Sequence, residues 1–498
     1  MSAAERDTQR QVIPRWRDLV STIAHRELEP VRQLDSVSFL PSDEDREGLH
    51  QREREFEDHG SLSFAADLVS ASLVLGPTPR TVAAARVMVD DPRTPEMARL
   101  TAASVLHQAE GSPEPDNDVD AADQAARRRA IRDLRGRLHS NPRNAIKWAE
   151  LARHYTTEGH ARKAINAMRL ALAMAPADRF ILRGAVRLWV HLREPDVAVD
   201  VLKAARSVVV TDPWLLASDI AAAATAGRTS RNIRTARQMV TQGRHTPFAM
   251  SELISALATL ELVAGQSRRA RKLFRSALAD PNENSIAQAE WASQHLTGLD
   301  IDADQIEKSA EARARDQSVG DDVEGTLGST WEWLIDQPFS AEPAIFGSYH
   351  ASMWQRFDEG ARFAKEGLRA NPRDWLLLNN RAFCLACMDQ WADAERLIRE
   401  AEHLAPTEEQ PTVMATQGLI RFRAGDVAAG RDLYEQAIAQ LDDRAQRIRA
   451  ELMLTSELVR AGDPTAPQAA QRIIDQIVGS SNRDLMIWIA FLPRQARL

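Results

Sequence analysis

Apolar positions between residues 145 and 176 recur at steps of three and four. Trp148, Leu151 and Tyr155 come first, and Ala164, Met168 and Ala171 follow, with Gly159 between the sets and Pro176 after them. That spacing puts each set on one face of a helix, and the glycine and proline mark where helices stop. The stretch therefore predicts two helices joined at Gly159. Alanine stands where a core usually wants bulk. Small residues let two helix backbones cross closely while the large ones fill the groove beside the crossing.

The pattern repeats. A shift of 34 residues lands on Leu182, Trp189, Ala198, Leu202 and Ala205, and a weaker unit follows with Gly227 at its turn. Leu257, Ala258, Gly265, Ala270, Phe274 and Ala277 carry another unit. After an irregular middle, one unit closes at Pro372. Ala382, Leu385, Ala394, Ile398, Ala401 and Pro406 form the next, then Gly418, Gly425, Tyr434 and Ala437. Asn-Pro or Asp-Pro steps at Asn141, Asp280 and Asn371 separate units, as helix breakers should. The set Trp148, Leu151, Ala152, Tyr155, Gly159, Ala164, Met168, Ala171 and Pro176 resembles the tetratricopeptide repeat, with Met168 replacing the family's aromatic. The resemblance spans about residues 140 to 475. It implies an all-α fold, an α-solenoid (superhelix) of tetratricopeptide-like helix pairs.

Around the repeats the organisation is less regular. Residues 1–60 read as an amphipathic helix (Val12, Ile13, Trp16, Leu19, Val20, Ile23) followed by a polar segment. Residues 61–109 are expected to form a divergent helical repeat region, with a helix pair turning at a Gly-Pro step. An acidic linker (110–124) leads to a first repeat array (125–313). A break (314–330) leads to a second array with C-terminal capping helices (331–498).

Composition narrows the function classes. The net charge of -8 gives no general case for nucleic-acid or membrane binding. Of 63 basic residues only six are Lys, a bias expected of a GC-rich bacterial genome. Two cysteines are too few for a disulfide scaffold of this length. The charged N-terminus does not read as a signal peptide, and the densest apolar run, Leu485 to Leu492, is far too short to span a bilayer. These features predict a cytoplasmic protein without membrane contact.

No phosphate loop, dinucleotide fingerprint, zinc-protease motif or nucleophile elbow occurs, and no catalytic residue, metal site or cofactor is expected. Cys384 and Cys387 form a C-x-x-C inside a helix, where packing explains them better than redox or zinc chemistry. Arg127, Arg128, Arg129, Arg132, Arg135 and Arg137 lie on an amphipathic helix, and Arg268, Arg269, Arg271, Lys272 and Arg275 on another. Such stripes can neutralise phosphates. They carry the alternative reading, a nucleic-acid-binding accessory protein using residues 127–137 and 268–275. An enzyme whose site lies in the first 110 residues is a further rival.

The favoured expectation is a protein-interaction scaffold or regulatory subunit in a multi-protein bacterial complex. Its partners would be one or more proteins, among them an enzyme encoded nearby. The resemblance implies that first helices line a concave groove. Carried onto this chain, it places Arg153, Arg183, Arg187, His191 and Trp214 in the first array's groove, and Tyr349, Asn379, Phe383 and Phe422 in the second's. The clamp that holds C-terminal carboxylates in chaperone-binding members is not reproduced; Ala149 stands at one of its basic positions. The three arginines predict an acidic or carboxylate-bearing partner segment. Trp331, Trp333 and Trp354 form a candidate aromatic anchor patch where the repeat pattern weakens.

Overall fold

First helices of successive pairs begin at Ala145, Arg179, Pro213 and Pro247, a constant step of 34 residues. This is seen in a computed structural model that describes residues 10–24, 26, 43–75, 77–95, 98–99, 101–103, 105–106, 116–320, 322–478 and 483–492. Each first helix is followed by its partner: Ala161–Met174, Pro195–Ala204, Ile233–Gln242 and Ser267–Ala277. The rhythm returns at Ala341, Trp375, Gln410 and Arg444, paired with Phe357–Ala370, Trp391–Leu404, Val427–Gln440 and Ala466–Val478. Helices account for 77% of the chain and no strand occurs among the described residues, so the fold is all-α, an α-solenoid of helix pairs.

Local chemistry sets this rhythm. Asp178, Asp212 and Thr246 each cap the first helix that follows, accepting a hydrogen bond from a backbone N–H of its first turn. Such caps contribute about 1 kcal/mol apiece. Gly159, Arg193 and Gly227 lie at equivalent turns with φ of +69°, +61° and +67°. Gln355 and Asp389 repeat the left-handed turn in the second array. The turn therefore demands the conformation even where no glycine supplies it. Inside the pairs, Leu151, Ala152, Ala164, Met168 and Ala171 are all buried, as close crossing through alanine requires.

The chain divides into two compact units. The smaller, Leu28–Lys147, contains the helices Asp43–His59, Leu62–Leu75, Pro79–Asp90 and Asp116–Ser140. Leu49, Leu68, Val69, Ala84 and Met88 are buried in its core. Residues 116–124 of the expected acidic linker are helical, and 110–115 lie outside the described residues. In the same helix Leu134 and Leu138 are buried while Arg128, Arg132, Arg135 and Arg137 face solvent. The larger unit joins Met1–Glu27 to Trp148–Leu498.

Two expectations need correction. Residues 10–18 are not helical; they are irregular, with a tight turn in which the Ile13 N–H donates to the Gln11 carbonyl at 2.7 Å, and only Leu19–Ala24 forms a helix, begun by Asp18, whose carboxylate accepts from the Ser21 N–H at 2.9 Å. Pro14 disfavours the helical conformation in Ile13, and the segment finds its partners elsewhere in the unit. The break expected at 314–330 is instead carried by the helices Ala310–Val319 and Val323–Asp336. Gly320 ends the first of these helices, while Gly325, Gly328 and Ser329 lie inside the second. Asp322 is the N-cap of the second, accepting from the Gly325 N–H at 3.0 Å.

Within the larger unit the first array bends back onto the second. A Cβ on Gly159 would lie 2.7 Å from the carbonyl oxygen of Arg369, so only glycine allows that approach. Arg193 reaches Asp374 at 3.5 Å, and Arg187 donates to Gln337 at 3.4 Å. The groove between the arrays is thereby enclosed.

Candidate protein-interaction groove

The groove of the first array holds residues 10–18 of the same chain. Three side chains read the segment's backbone as they would a bound peptide's. Gln288 donates to the Arg10 carbonyl at 3.0 Å, Asn284 to that of Ile13 at 3.0 Å, and Arg153 to that of Trp16 at 3.1 Å. Around Trp16, alternate side chains contact opposite walls. Arg15 and Arg17 share one side and Trp16 takes the other.

On the arginine side the groove is acidic. Arg15 donates to Asp336 at 2.5 Å and to Glu311 at 3.1 Å. Arg17 donates to Asp336 at 2.6 Å and also binds Glu283. Arg10 makes a two-pronged contact with Glu311 at 2.8 and 2.9 Å. These carboxylates come from the ends of three helices: Glu283–Ser293, Ala310–Val319 and Val323–Asp336. Burial alone would raise the carboxyl pKa values, but the arginines outweigh it. Glu311 is held to about 2 by Arg10 and Arg15, and Asp336 to about 2 by Arg15 and Arg17. Burial opposes the charge on Arg15 too, and Asp336 and Glu311 reverse that effect.

On the other side the Trp16 indole lies against the helix Arg179–His191 at Gly184 and beside Phe339, ring centroids 5.6 Å apart. It is 2% exposed, and its Nε1 has no hydrogen-bond partner among the described residues. Further along, Arg26 sits over the Phe248 ring at 4.3 Å and pairs with Asp280 at 3.2 Å.

The groove residues projected from sequence fall around this segment. Arg153 touches it directly. Arg183 is buried in an ion pair with Glu252 at 2.7 Å and lies over the Trp214 ring at 5.0 Å. Arg187 lies over Phe339 at 5.3 Å, and His191 meets the same ring edge-on at 5.9 Å. Burial and the Arg187 charge push His191 down to about 4, so it is neutral at pH 7. The three arginines thus contact one backbone carbonyl, one buried glutamate and one glutamine or ring. The segment that fills the groove is basic, opposite in sign to the acidic partner they had predicted.

The second groove is filled as well. The helix Arg483–Trp488 and the turn after it lie across its first helices. Tyr349 donates to Asp484 at 3.0 Å, Phe383 meets Trp488 edge-on at 6.2 Å, and Ser456 donates to the Phe491 carbonyl at 2.7 Å. Phe422 is buried beside Tyr434 at 6.1 Å, and Asn379 is buried with its Oδ1 unpartnered among the described residues. The apolar run noted from sequence, 485–492, therefore packs through Leu485, Trp488 and Leu492.

The aromatic patch divides. Trp333 is fully buried and presents no surface to a partner. Trp331 stacks on Phe363 at 4.0 Å, and Trp354 packs among apolar residues of the second array. Cys384 and Cys387 are unpaired thiols; burial pushes Cys384 up to about 12 and Cys387 well above its usual value. Neither is a thiolate at neutral pH. Among the described residues no group of three His, Cys, Asp or Glu is placed to hold a metal, and no helix is long and apolar enough to cross a membrane.

No family model and no curated protein matches the chain. Solved structures similar to it include yeast Tom70, at 11% identity over 87% of this chain and 96% of that one, with a TM-score of 0.28. Another is the Cut9–Hcn1 hetero-tetramer of the APC/C, at 9% identity over 90% and 93%, with a TM-score of 0.40. The helix pairs described above, rather than these distant likenesses, carry the fold.

Sequence reasoning missed the acidic wall and the segment that meets it. No local pattern announced them; Glu252, a carboxylate in the helix Pro247–Val263, signals only its own buried cation, Arg183.

Proposed function

We propose that this chain is a non-catalytic protein-interaction scaffold or regulatory subunit that binds extended segments of partner proteins in its concave groove. The reading includes a bacterial, cytoplasmic setting, supported by the Arg-over-Lys bias and by two thiols left unpaired. The observation that carries the proposal is the way residues 10–18 are held. Gln288, Asn284 and Arg153 bond to main-chain carbonyls, contacts that any extended peptide could supply whatever its side chains. A rigid stack of helix pairs suits such a role, because groove residues can vary without disturbing the cores between helices.

A photo-cross-linking side chain placed at His191 in the groove, compared with one at exposed Lys272, tests this in the native host. Protein adducts from position 191 and none from 272 are expected. Adducts from 272 alone, or adducts to nucleic acid, would sink the reading.

A further inference from the structure

We infer that the partner segment is basic and aromatic: an extended peptide carrying arginines on alternate positions around an aromatic residue, which enters by displacing residues 10–17 of this chain. The inference rests on the groove reading above and deepens it by naming the ligand's chemistry.

The groove's two walls argue for this class together. The Glu311 carboxylate is buried and that of Asp336 half-buried, and the cations that offset their desolvation belong largely to the segment: Arg10 and Arg15 for Glu311, Arg15 and Arg17 for Asp336. A ligand that covers these carboxylates again must bring other cations, since a buried carboxylate left without one is strongly disfavoured. An acidic or neutral peptide does not satisfy that requirement. Guanidinium does so best, because its planar fork can address two carboxylates at once, as Arg15 does here.

The opposite wall selects an aromatic. Gly184 leaves the helix backbone bare, and Phe339 closes the side, forming a flat slot filled by the Trp16 ring. A flexible aliphatic chain would fit that slot less well than a planar ring. Arginines on both sides of the ring follow from geometry. In an extended peptide the neighbours of the slotted residue point to the acidic wall.

The resident segment is tied to its groove through the chain. A tethered ligand competes as an intramolecular one, so an incoming peptide must bind well or arrive at high local concentration. The full-length wild-type chain should therefore look weak toward peptides of the right kind. A chain whose own segment has lost its anchors should bind them.

The test uses the full chain with Arg15→Ala, Trp16→Ala and Arg17→Ala together, which leaves every groove residue in place. The probe is a fluorescent peptide with the sequence of residues 10–26, and the control is the same peptide with glutamate at its arginine positions. Anisotropy should show the triple variant binding the basic peptide at least about tenfold more tightly than wild type does. Adding Glu311→Gln and Asp336→Asn should weaken that binding by about thirtyfold or more. Equal binding of the two peptides, or indifference to the carboxylate substitutions, overturns the inference. If it fails while the cross-linker at position 191 still captures a protein, the groove reading stands and only the ligand class is wrong. Should the triple variant not fold by circular dichroism, wild type supplies the readout. Excess basic peptide should accelerate hydrogen exchange at residues 10–17, and unchanged exchange overturns displacement. A wild-type dimer that becomes monomeric in the triple variant would assign the groove to the segment of a second copy instead, and would also overturn the proposal.

Discussion

Gly184 and Trp16 are in direct contact: a Cβ on Gly184 would fall 2.8 Å from the indole nitrogen and 3.2 Å from two of its carbons. Glycine in a helix interior costs about 0.5–1 kcal/mol relative to alanine. Here that cost admits the tryptophan ring to the backbone of the helix Arg179–His191.

Gly184→Ala therefore sets two effects against each other. The helix gains its propensity term, while a rigid indole is pushed by a methyl group at less than contact distance. Overpacking of this kind costs about 1–3 kcal/mol, more than the propensity gain. The ring can leave, because the segment carrying it is a strand of chain rather than a core helix. The expected result is at least about tenfold faster hydrogen exchange at residues 10–17 with a nearly unchanged melting midpoint. Unaltered protection there would mean that the ring is not seated on Gly184.

How much of this was legible follows from what each feature depends on. The helix pairs were readable because a 34-residue step fixes Leu151, Ala164 and Met168 through local periodicity. The turns at Arg193, Gln355 and Asp389 were less so, since the left-handed backbone conformation there is imposed by flanking helices on non-glycine residues. The groove occupant was not legible. Arg15 lies 321 positions from Asp336, and no local rule pairs them. Val12, Trp16 and Leu19 do fit a helical face, but Pro14 and the contacts of residues 10–18 with distant helices override that pattern.

Acid should release the segment. Glu311 and Asp336 are held to about 2 when the arginines are present, whereas a carboxyl in the unfolded chain titrates near its ordinary value of about 4. A depressed carboxylate contributes stability that is fully present above the ordinary value and is lost as pH falls through the depressed one. Protection of residues 10–17 is expected to be constant from pH 7 to about 5 and to fall between about 4 and 2. With Glu311→Gln and Asp336→Asn, protection should be low already at pH 7 and flat with pH. A wild-type profile equally flat would contradict the ion pairs described.

Arg183 and Glu252 make a second kind of contact, inside the array. The carboxylate has no exposed surface, and Asn282 and Asn284 also donate to it, at 2.9 and 3.1 Å. Burial opposes its ionisation, and the Arg183 charge together with these hydrogen bonds keeps its pKa low. Arg183→Ala strands a buried charge and should destabilise the unit by about 3 kcal/mol. Arg183→Met combined with Glu252→Gln removes both charges and should recover more than half of that loss. Urea midpoints for the two variants decide the matter. A cost below about 0.5 kcal/mol for the single change would place the pair at the surface.

Glu290 gives the opposite pH signature from the groove carboxylates. It is 5% exposed on the helix Glu283–Ser293, its Oε2 has no partner among the described residues, and Gln294 donates to its other oxygen at 2.9 Å. Burial raises its pKa to about 7, and Arg315 only partly offsets this. Between the ordinary glutamate value of 4.5 and about 7, the folded chain keeps a proton that the unfolded chain has lost. Protonation thus favours the folded state, and stability contributed at this site declines as pH rises through that window, then levels off. Glu290→Gln mimics the protonated acid at every pH. The variant should match wild type near pH 4 and exceed it by about 1–3 kcal/mol at pH 8. Chemical denaturation at the two pH values measures the difference. A variant no more stable than wild type at pH 8 would show that Glu290 ionises at its ordinary value in the folded chain.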